Sequence, residues 1–180
     1  MIAAIVYNSS TGSCERYAKE LSRTLHIPAY PVHKAPTRSD GEFVFVSWIM
    51  AGGLQGYKQA AKRMKIAAVV AVGMAPASEK TASAIRQKYA IPQSVGVFCV
   101  QGGFHLNKLS APMKLIMKVK TKDIVKQLEK KKEAVGSLNA QEQALYRMAK
   151  TGEGEPADWD VSTVTKWVLD KYRKDGILHV

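Results

Sequence analysis

A chain of 180 residues, 46% hydrophobic and 23% charged, has the size of one domain with its own core, which excludes disorder, collagen-like repeats and low complexity for most of its length. Lys+Arg 27 against Asp+Glu 15 gives a net charge of +12 and favours an anionic partner. Two cysteines, Cys14 and Cys99, are too few for a disulfide framework or a four-ligand zinc site and indicate a reducing, cytoplasmic setting.

Ile2 to Tyr7 is a short apolar run rich in β-branched residues, with no basic region before it and no cleavage site after it, so it is expected to be a buried strand rather than a secretory signal. It ends at the turn-like Asn8-Ser-Ser-Thr-Gly12. From Cys14 the period changes: Cys14, Tyr17, Ala18, Leu21 and Leu25 share one helical face, and Glu15/Lys19 and Arg16/Glu20 are spaced to pair on the other. Ala29 to His33 is a further strand candidate, and Pro31, having no N–H to give to a central ladder, places it at a sheet edge. Phe43 to Ile49 is a strand, Ala51 to Gly53 a loop, and Leu54, Tyr57, Ala61 and Met64 the inner face of a second helix. Ala67 to Val72 is a strand, followed by Gly73-Met-Ala-Pro-Ala-Ser78, with Ser78 capping a helix that runs to about Tyr89. Ser94 to Val100 is the fifth strand. Strands alternating with helices imply parallel pairing through right-handed crossovers and a three-layer α/β sheet.

After Gly103 the alternation stops. Phe104 to Trp159 is expected to be a basic helical insertion within a single domain, residues 1–180, standing before the last helix. Leu109, Met113, Ile116 and Met117 form an apolar helical stripe flanked by lysines, and Lys108 to Lys132 holds nine lysines against Asp123 and Glu129. Lys122 to Glu133 continues as a charged helix that Gly136 breaks. Asn139 with Glu142 has capping-box spacing for a short helix to about Lys150, and Thr151 to Pro156 is a loop. Asp160 or Ser162 caps a last helix, with Val164, Trp167, Val168 and Tyr172 inward, ending before Gly176. No run reaches the roughly 18 to 20 apolar residues that span a membrane. The stripe and lysines of Leu106 to Lys132 have the form of an interfacial segment, so either packing onto the sheet or peripheral attachment to an anionic membrane on its cytoplasmic face is open. Nucleic acid is not indicated, because that segment has no aromatic residue to stack on bases and no helix-turn-helix or zinc-finger signature is present.

The chemistry points to the first loop. Ser9, Ser10, Thr11, Gly12, Ser13 and Cys14 lie between strand and helix, where free N–H groups and the positive end of the helix dipole favour an anion, with hydroxyls adding donors and Gly12 permitting the turn. It reads as a phosphate nest without a lysine. There is no G-x-x-x-x-G-K-[ST]. Ala51-Gly-Gly-Leu-Gln-Gly56 does not follow the first strand and has no acid about 20 residues on to hold a ribose. A phosphatase-like cysteine loop starting at Cys14 would need arginine where Glu20 stands.

Ile5-Val-Tyr-Asn-Ser-Ser-Thr-Gly-Ser-Cys14 resembles the T/S-x-T-G-x-T phosphate loop of flavodoxins, with Cys14 where that family usually has Thr or Ser. The resemblance covers residues 1–103 and the final helix. It implies a flavodoxin-like three-layer sandwich, a five-stranded parallel sheet in the order 2-1-3-4-5, and non-covalent FMN. The ring would then lie between Trp48, Ile49, Met50, Ala51, Gly52 and Gly53 on one side and Gly73, Met74, Ala75 and Pro76 on the other. Trp48 is open to two roles, stacking on the ring or core packing, and His105 to a proton relay or an ordinary loop position. The absence of acid from both loops implies a flavin that is reduced at a less negative potential than in acidic flavodoxins. Gln101 to Leu109 followed by Met113 to Lys118 looks like the flavodoxin-domain group that contains menaquinone-dependent protoporphyrinogen oxidase. Three functions therefore remain: a flavin electron carrier with a redox partner protein, a quinone-coupled oxidase-like enzyme, or a flavodoxin-like binding protein without cofactor.

Overall fold

The computed structural model describes residues 1–36 and 40–173. Strand β1 (Ile2–Asn8) enters helix α1 (Ser13–Leu25), and β2 (Ala29–Pro31) follows. Next come β3 (Glu42–Met50), the two-residue β4 (Gly53–Leu54) and α2 (Tyr57–Arg63). Strand β5 (Lys65–Gly73), α3 (Glu79–Lys88) and β6 (Gly96–Gln101) complete the alternation. The parallel strands stand in the order β2-β1-β3-β5-β6, which is the flavodoxin-like 2-1-3-4-5 arrangement once the short antiparallel β4 is set aside. Pro31 sits on the edge strand, as its missing N–H requires.

The three layers follow from strand periodicity. Ile5, Val44, Val46, Ala68 and Val70 join one buried cluster with Tyr17 and Leu21 of α1 and Val164, Val168 and Tyr172 of the last helix. Their sequence neighbours Ala4, Val6, Phe43, Phe45 and Val69 join another, with Tyr57 and Ala60 of α2 and Ile85 of α3. Central strands covered on both faces bury successive residues, 43–47 in β3 and 66–72 in β5, which is why these strands read as nearly continuous apolar runs. The five residues expected to form the inner face of α1 are all buried. In α2 the inner residue is Ala60 rather than Ala61, because the helix starts only at Tyr57 and Leu54 belongs to β4, which shifts the buried face by one position. Arg16 does not pair with Glu20: its guanidinium lies over Trp159, 4.3 Å from the ring centroid, and 4.0 Å from Glu155, leaving Glu20 to Arg23.

Between β6 and the final helix α6 (Ser162–Arg173) the chain forms β7 (Phe104–His105), α4 (Ala111–Val135), α5 (Ala140–Thr151) and β8 (Glu153–Gly154). The two helical segments expected on either side of Thr121 are one 25-residue helix, which Gly136 ends at φ 82° with its N–H donated to the Lys132 carbonyl. The expected capping box closes α5: Asn139 Oδ1 accepts from the Glu142 N–H at 2.9 Å and Glu142 Oε2 accepts from the Asn139 N–H at 3.1 Å. The segment read as a loop from Thr151 to Pro156 contains β8, which pairs antiparallel with β7. Phe104, Ala144 and Met148 make a small core of their own here, beside Leu128, Leu138 and Leu145. The expected end of α6 before Gly176 lies outside the described residues.

The last helix is tied to the start of β3. Glu42 accepts from the Tyr172 hydroxyl and lies 3.2 Å from Lys65 Nζ. Burial pushes the Glu42 carboxyl up, but the hydrogen bonds from Tyr172 and Lys65, with the nearby Lys171 charge, outweigh it and hold it below its ordinary value. A lowered carboxylate stabilises the fold above its unfolded pKa, about 4.3, and that contribution disappears as pH falls through the lower folded value. Glu42→Gln is therefore expected to cost about 1–2 kcal/mol in urea unfolding at pH 7. The difference from wild type should shrink below about pH 4. A gap that persists in acid would show that the carboxylate charge is not its source.

Candidate functional site

The loops that leave β1, β3, β5 and β6 at their carboxyl ends converge on one cleft of about 490 Å³, where parallel α/β sheets hold their ligands. Of the sequence-selected residues, Ser9, Ser10, Thr11, Ser13, Cys14, Trp48, Ile49, Met50, Ala51, Gly52, Gly73 and Met74 line it. Gly12, Gly53, Ala75 and Pro76 lie outside the wall. The far side is built from residues not assigned to the site from sequence: Gly102, Gly103 and Phe104 after β6, and from the insertion Lys120 with Leu109, Met113, Ile116 and Met117, the apolar stripe, which thus packs along the cleft. Among the described residues of this wall none is acidic, and Lys120 is the charged side chain.

At the polar end, Gly12 precedes α1 at φ 108°, a left-handed conformation that residues with a Cβ rarely adopt. Its N–H donates to Ser9 Oγ at 3.2 Å, which draws the loop into a turn. The first N–H groups of any helix lack intrahelical acceptors, so the start of α1 offers donors to an anion beside the hydroxyls of Ser10 and Thr11. Ser13 has a different task. Its hydroxyl accepts from the Gly103 N–H at 3.1 Å and faces the Gly103 carbonyl at 3.4 Å, joining α1 to the chain leaving β6. Cys14 does not stand in for the missing hydroxyl either, since its side chain is 1% exposed and belongs to the core, and burial pushes its thiol up to about 12. A lysine reaches the same loop from elsewhere: Lys108, which is not part of the cleft wall, has its Nζ 3.5 Å from the Thr11 carbonyl, across 97 residues of sequence.

The second wall is a hairpin rather than an open loop. Ala51 at φ 48° and Gly52 at φ 68° form the left-handed pair that a two-residue turn between antiparallel strands requires, and Ile49 pairs with Leu54. The hairpin is held from behind, where the Leu54 N–H donates to Tyr89 Oη at 2.9 Å and Lys88 Nζ donates to the Gly52 carbonyl at 3.1 Å. Ser47, fully buried, donates to the Gln55 carbonyl at 2.6 Å, and Asn8 Nδ2 reaches the same carbonyl at 3.2 Å. These bonds fix the backbone from 49 to 55 against β1, β3 and the end of α3, with Lys88 the charged group among them. Trp48 is half-buried, packs against the α1-side cluster and still borders the cleft.

The third wall depends on glycine and on one glutamine. A Cβ on Gly102 would stand 2.5 Å from Val72 Cγ1 and 3.3 Å from Ser13 Cβ, so β5, β6 and α1 meet closely here only because the position has no side chain. Gln101, 3% exposed, donates from Nε2 to the Met74 carbonyl at 3.2 Å and the Gln141 carbonyl at 2.9 Å, joining the loop after β5 to α5. His105 does not line the cleft: it lies opposite Glu153 in β7 with Nε2 3.5 Å from Glu155. Cys99, half-buried in β6, packs against the α3-side cluster.

Hydroxyls, helix N–H groups and a lysine suit a phosphate at one end, and a neutral backbone-lined slot suits a flat heterocycle beside it. On the α4 side Met113, Ile116 and Met117 make the wall apolar. No helix among the described residues is long and apolar enough to cross a membrane. Comparison with protein-family models, with curated proteins and with solved structures finds no match to this chain.

Proposed function

We propose that the protein binds one FMN without covalent attachment and transfers electrons to or from a partner protein or small molecule. The observation that carries this reading is the meeting, in one cleft at the carboxyl ends of the parallel strands, of the Ser9 to Thr11 turn with two acid-free loops. Ser10, Thr11, the first turn of α1 and Lys108 would hold the phosphate, and the backbone of Ile49 to Gly52 and of Gly73 and Met74 would flank the ring. When bound, the flavin supplies the one- and two-electron chemistry, while the chain binds it, orients it and limits water around it.

A second reading, a quinone-coupled enzyme of the protoporphyrinogen oxidase type, is favoured by one feature. A pure carrier needs only an exposed ring edge, whereas here Leu109, Met113, Ile116 and Met117 wall the cleft and Lys120 stands at it, a setting for an apolar reactant with an anionic group.

Flavin fluorescence titration is expected to show FMN binding at least about tenfold more tightly than riboflavin, a difference of 1.4 kcal/mol for the phosphate. Equal affinities would remove the phosphate from the Ser9 to Thr11 turn, and no binding of either flavin would reject the proposal and leave a flavodoxin-like binding protein without cofactor. With FMN bound, porphyrinogen turnover with a quinone would select the enzyme. Electron uptake from a reductase with no such turnover would select the carrier.

A further inference from the structure

The first half of α4 is apolar on both sides of the helix, and only one side has a use within the fold. Met113 and Met117 face the cleft, and Thr121 and Leu128 are buried farther along the same flank. On the other flank Leu115 is 69% exposed, Ile116 50% and Val119 60%. From Ala111 to Lys120 no residue is buried. Leu115 and Val119 are one turn apart, and Lys122 and Lys126 continue their face along the helix, while Lys114 and Lys118 form the adjoining row. The result is a convex apolar ridge bordered and prolonged by lysines.

From this ridge we infer a membrane-docking surface: α4 lies in the interface of an anionic bilayer, with Leu115, Ile116 and Val119 in the acyl boundary and the lysines among the headgroups. Apolar side chains on a convex helix face, with no groove to receive a partner, suit a fluid lipid surface. The charges select its sign, since juxtaposed lysines gain from negative headgroups within a Debye length. A second copy of the chain fits poorly, because an isologous contact would set the lysine rows of two strongly basic chains against each other. The ridge also adjoins the cleft: Ile116 is exposed and lines the cleft wall as well. Docking through α4 would thus bring the open side of the cleft close to the acyl layer and to apolar molecules dissolved in it.

This surface needs no flavin to act, so vesicle binding and FMN binding are measured separately on the same samples of the full chain. Cosedimentation with vesicles of phosphatidylglycerol and phosphatidylcholine is expected, weakening as salt rises, with little binding to phosphatidylcholine alone. Two double variants outside the cleft wall test the two components. Leu115→Gln with Val119→Gln removes the ridge, and Lys114→Glu with Lys118→Glu reverses one lysine row. Each is expected to weaken vesicle binding at least about tenfold while leaving far-ultraviolet circular dichroism and FMN affinity unchanged. Wild-type absence of binding at low salt, equal binding to neutral vesicles, or variants that bind like wild type would overturn the assignment. So would a concentration-dependent dimer abolished by Leu115→Gln with Val119→Gln in a chain that ignores vesicles, which would give the face to a second copy. Loss of FMN binding with vesicle binding intact would reject only the flavin reading.

Discussion

Gly12→Val is expected to weaken FMN binding by about tenfold or more while changing riboflavin binding much less. A Cβ at Gly12 would meet nothing within 4 Å, so the substitution creates no clash with the protein. The cost comes from the backbone. At φ 108° a β-branched residue is strained by about 1–3 kcal/mol, and the chain relieves that strain by moving Gly12 toward an ordinary conformation. Such a shift turns the Gly12 N–H away from Ser9 Oγ and displaces Thr11 together with the first turn of α1. The donors proposed for the phosphate then no longer converge. Thr11→Ala removes a single hydroxyl and should cost about 1.5 kcal/mol of FMN affinity if that hydroxyl meets a charged oxygen, again with riboflavin nearly unaffected. Retention of full FMN affinity by both variants would remove the phosphate from this loop.

Gly102→Ala is expected to lower both stability and FMN affinity. The added Cβ would stand 2.5 Å from Val72 Cγ1, closer than real Cβ atoms come, and Val72 is 4% exposed on the central strand β5, with a branched side chain that has few rotamers to choose from. Relief must come from the backbone, yet the Gly102 N–H is held by the Gly73 carbonyl at 2.7 Å. Overpacking of this kind costs about 1–3 kcal/mol, and a chain of this size loses roughly 2–4 °C in Tm for each kcal/mol. The displacement passes to the site, because Ser13 is 3.3 Å from the new Cβ and its hydroxyl is bonded to Gly103. Gly136→Ala is the control. It sits in a left-handed helix cap with nothing within 4 Å, so it should cost about 1 kcal/mol and leave FMN affinity alone. Equal FMN affinity in Gly102→Ala and wild type would separate this glycine from the site.

The sequence by itself determined what depends on near neighbours. The inner face of α1, the apolar runs of β3 and β5, Pro31 at the edge and the Asn139–Glu142 capping box all follow from periods of two or 3.6 residues or from contacts three residues apart. The polar end of the cleft was legible for the same reason, being a strand, a Ser/Thr turn and a helix start within six residues. Even there the partners were hidden: Ser13 and Cys14 border the cleft, but the hydroxyl of one meets Gly103 and the thiol of the other packs in the core, because a side chain's type does not state which partner it meets. The tertiary structure alone decided the rest. Lys108 reaches Thr11 across 97 residues, and Ser13 meets Gly103 across 90. Gly102 is confined by a strand and a helix that no local pattern brings together. The sequence left packing and a membrane surface both open for the stripe and lysines of α4, and it did not say which residues stay exposed, since an apolar stripe shows that a face is fit for burial but not whether the fold supplies anything to bury it. Here the sheet was already covered by α1, α2, α3 and α6, and α4 was left with Leu115 and Val119 facing outward.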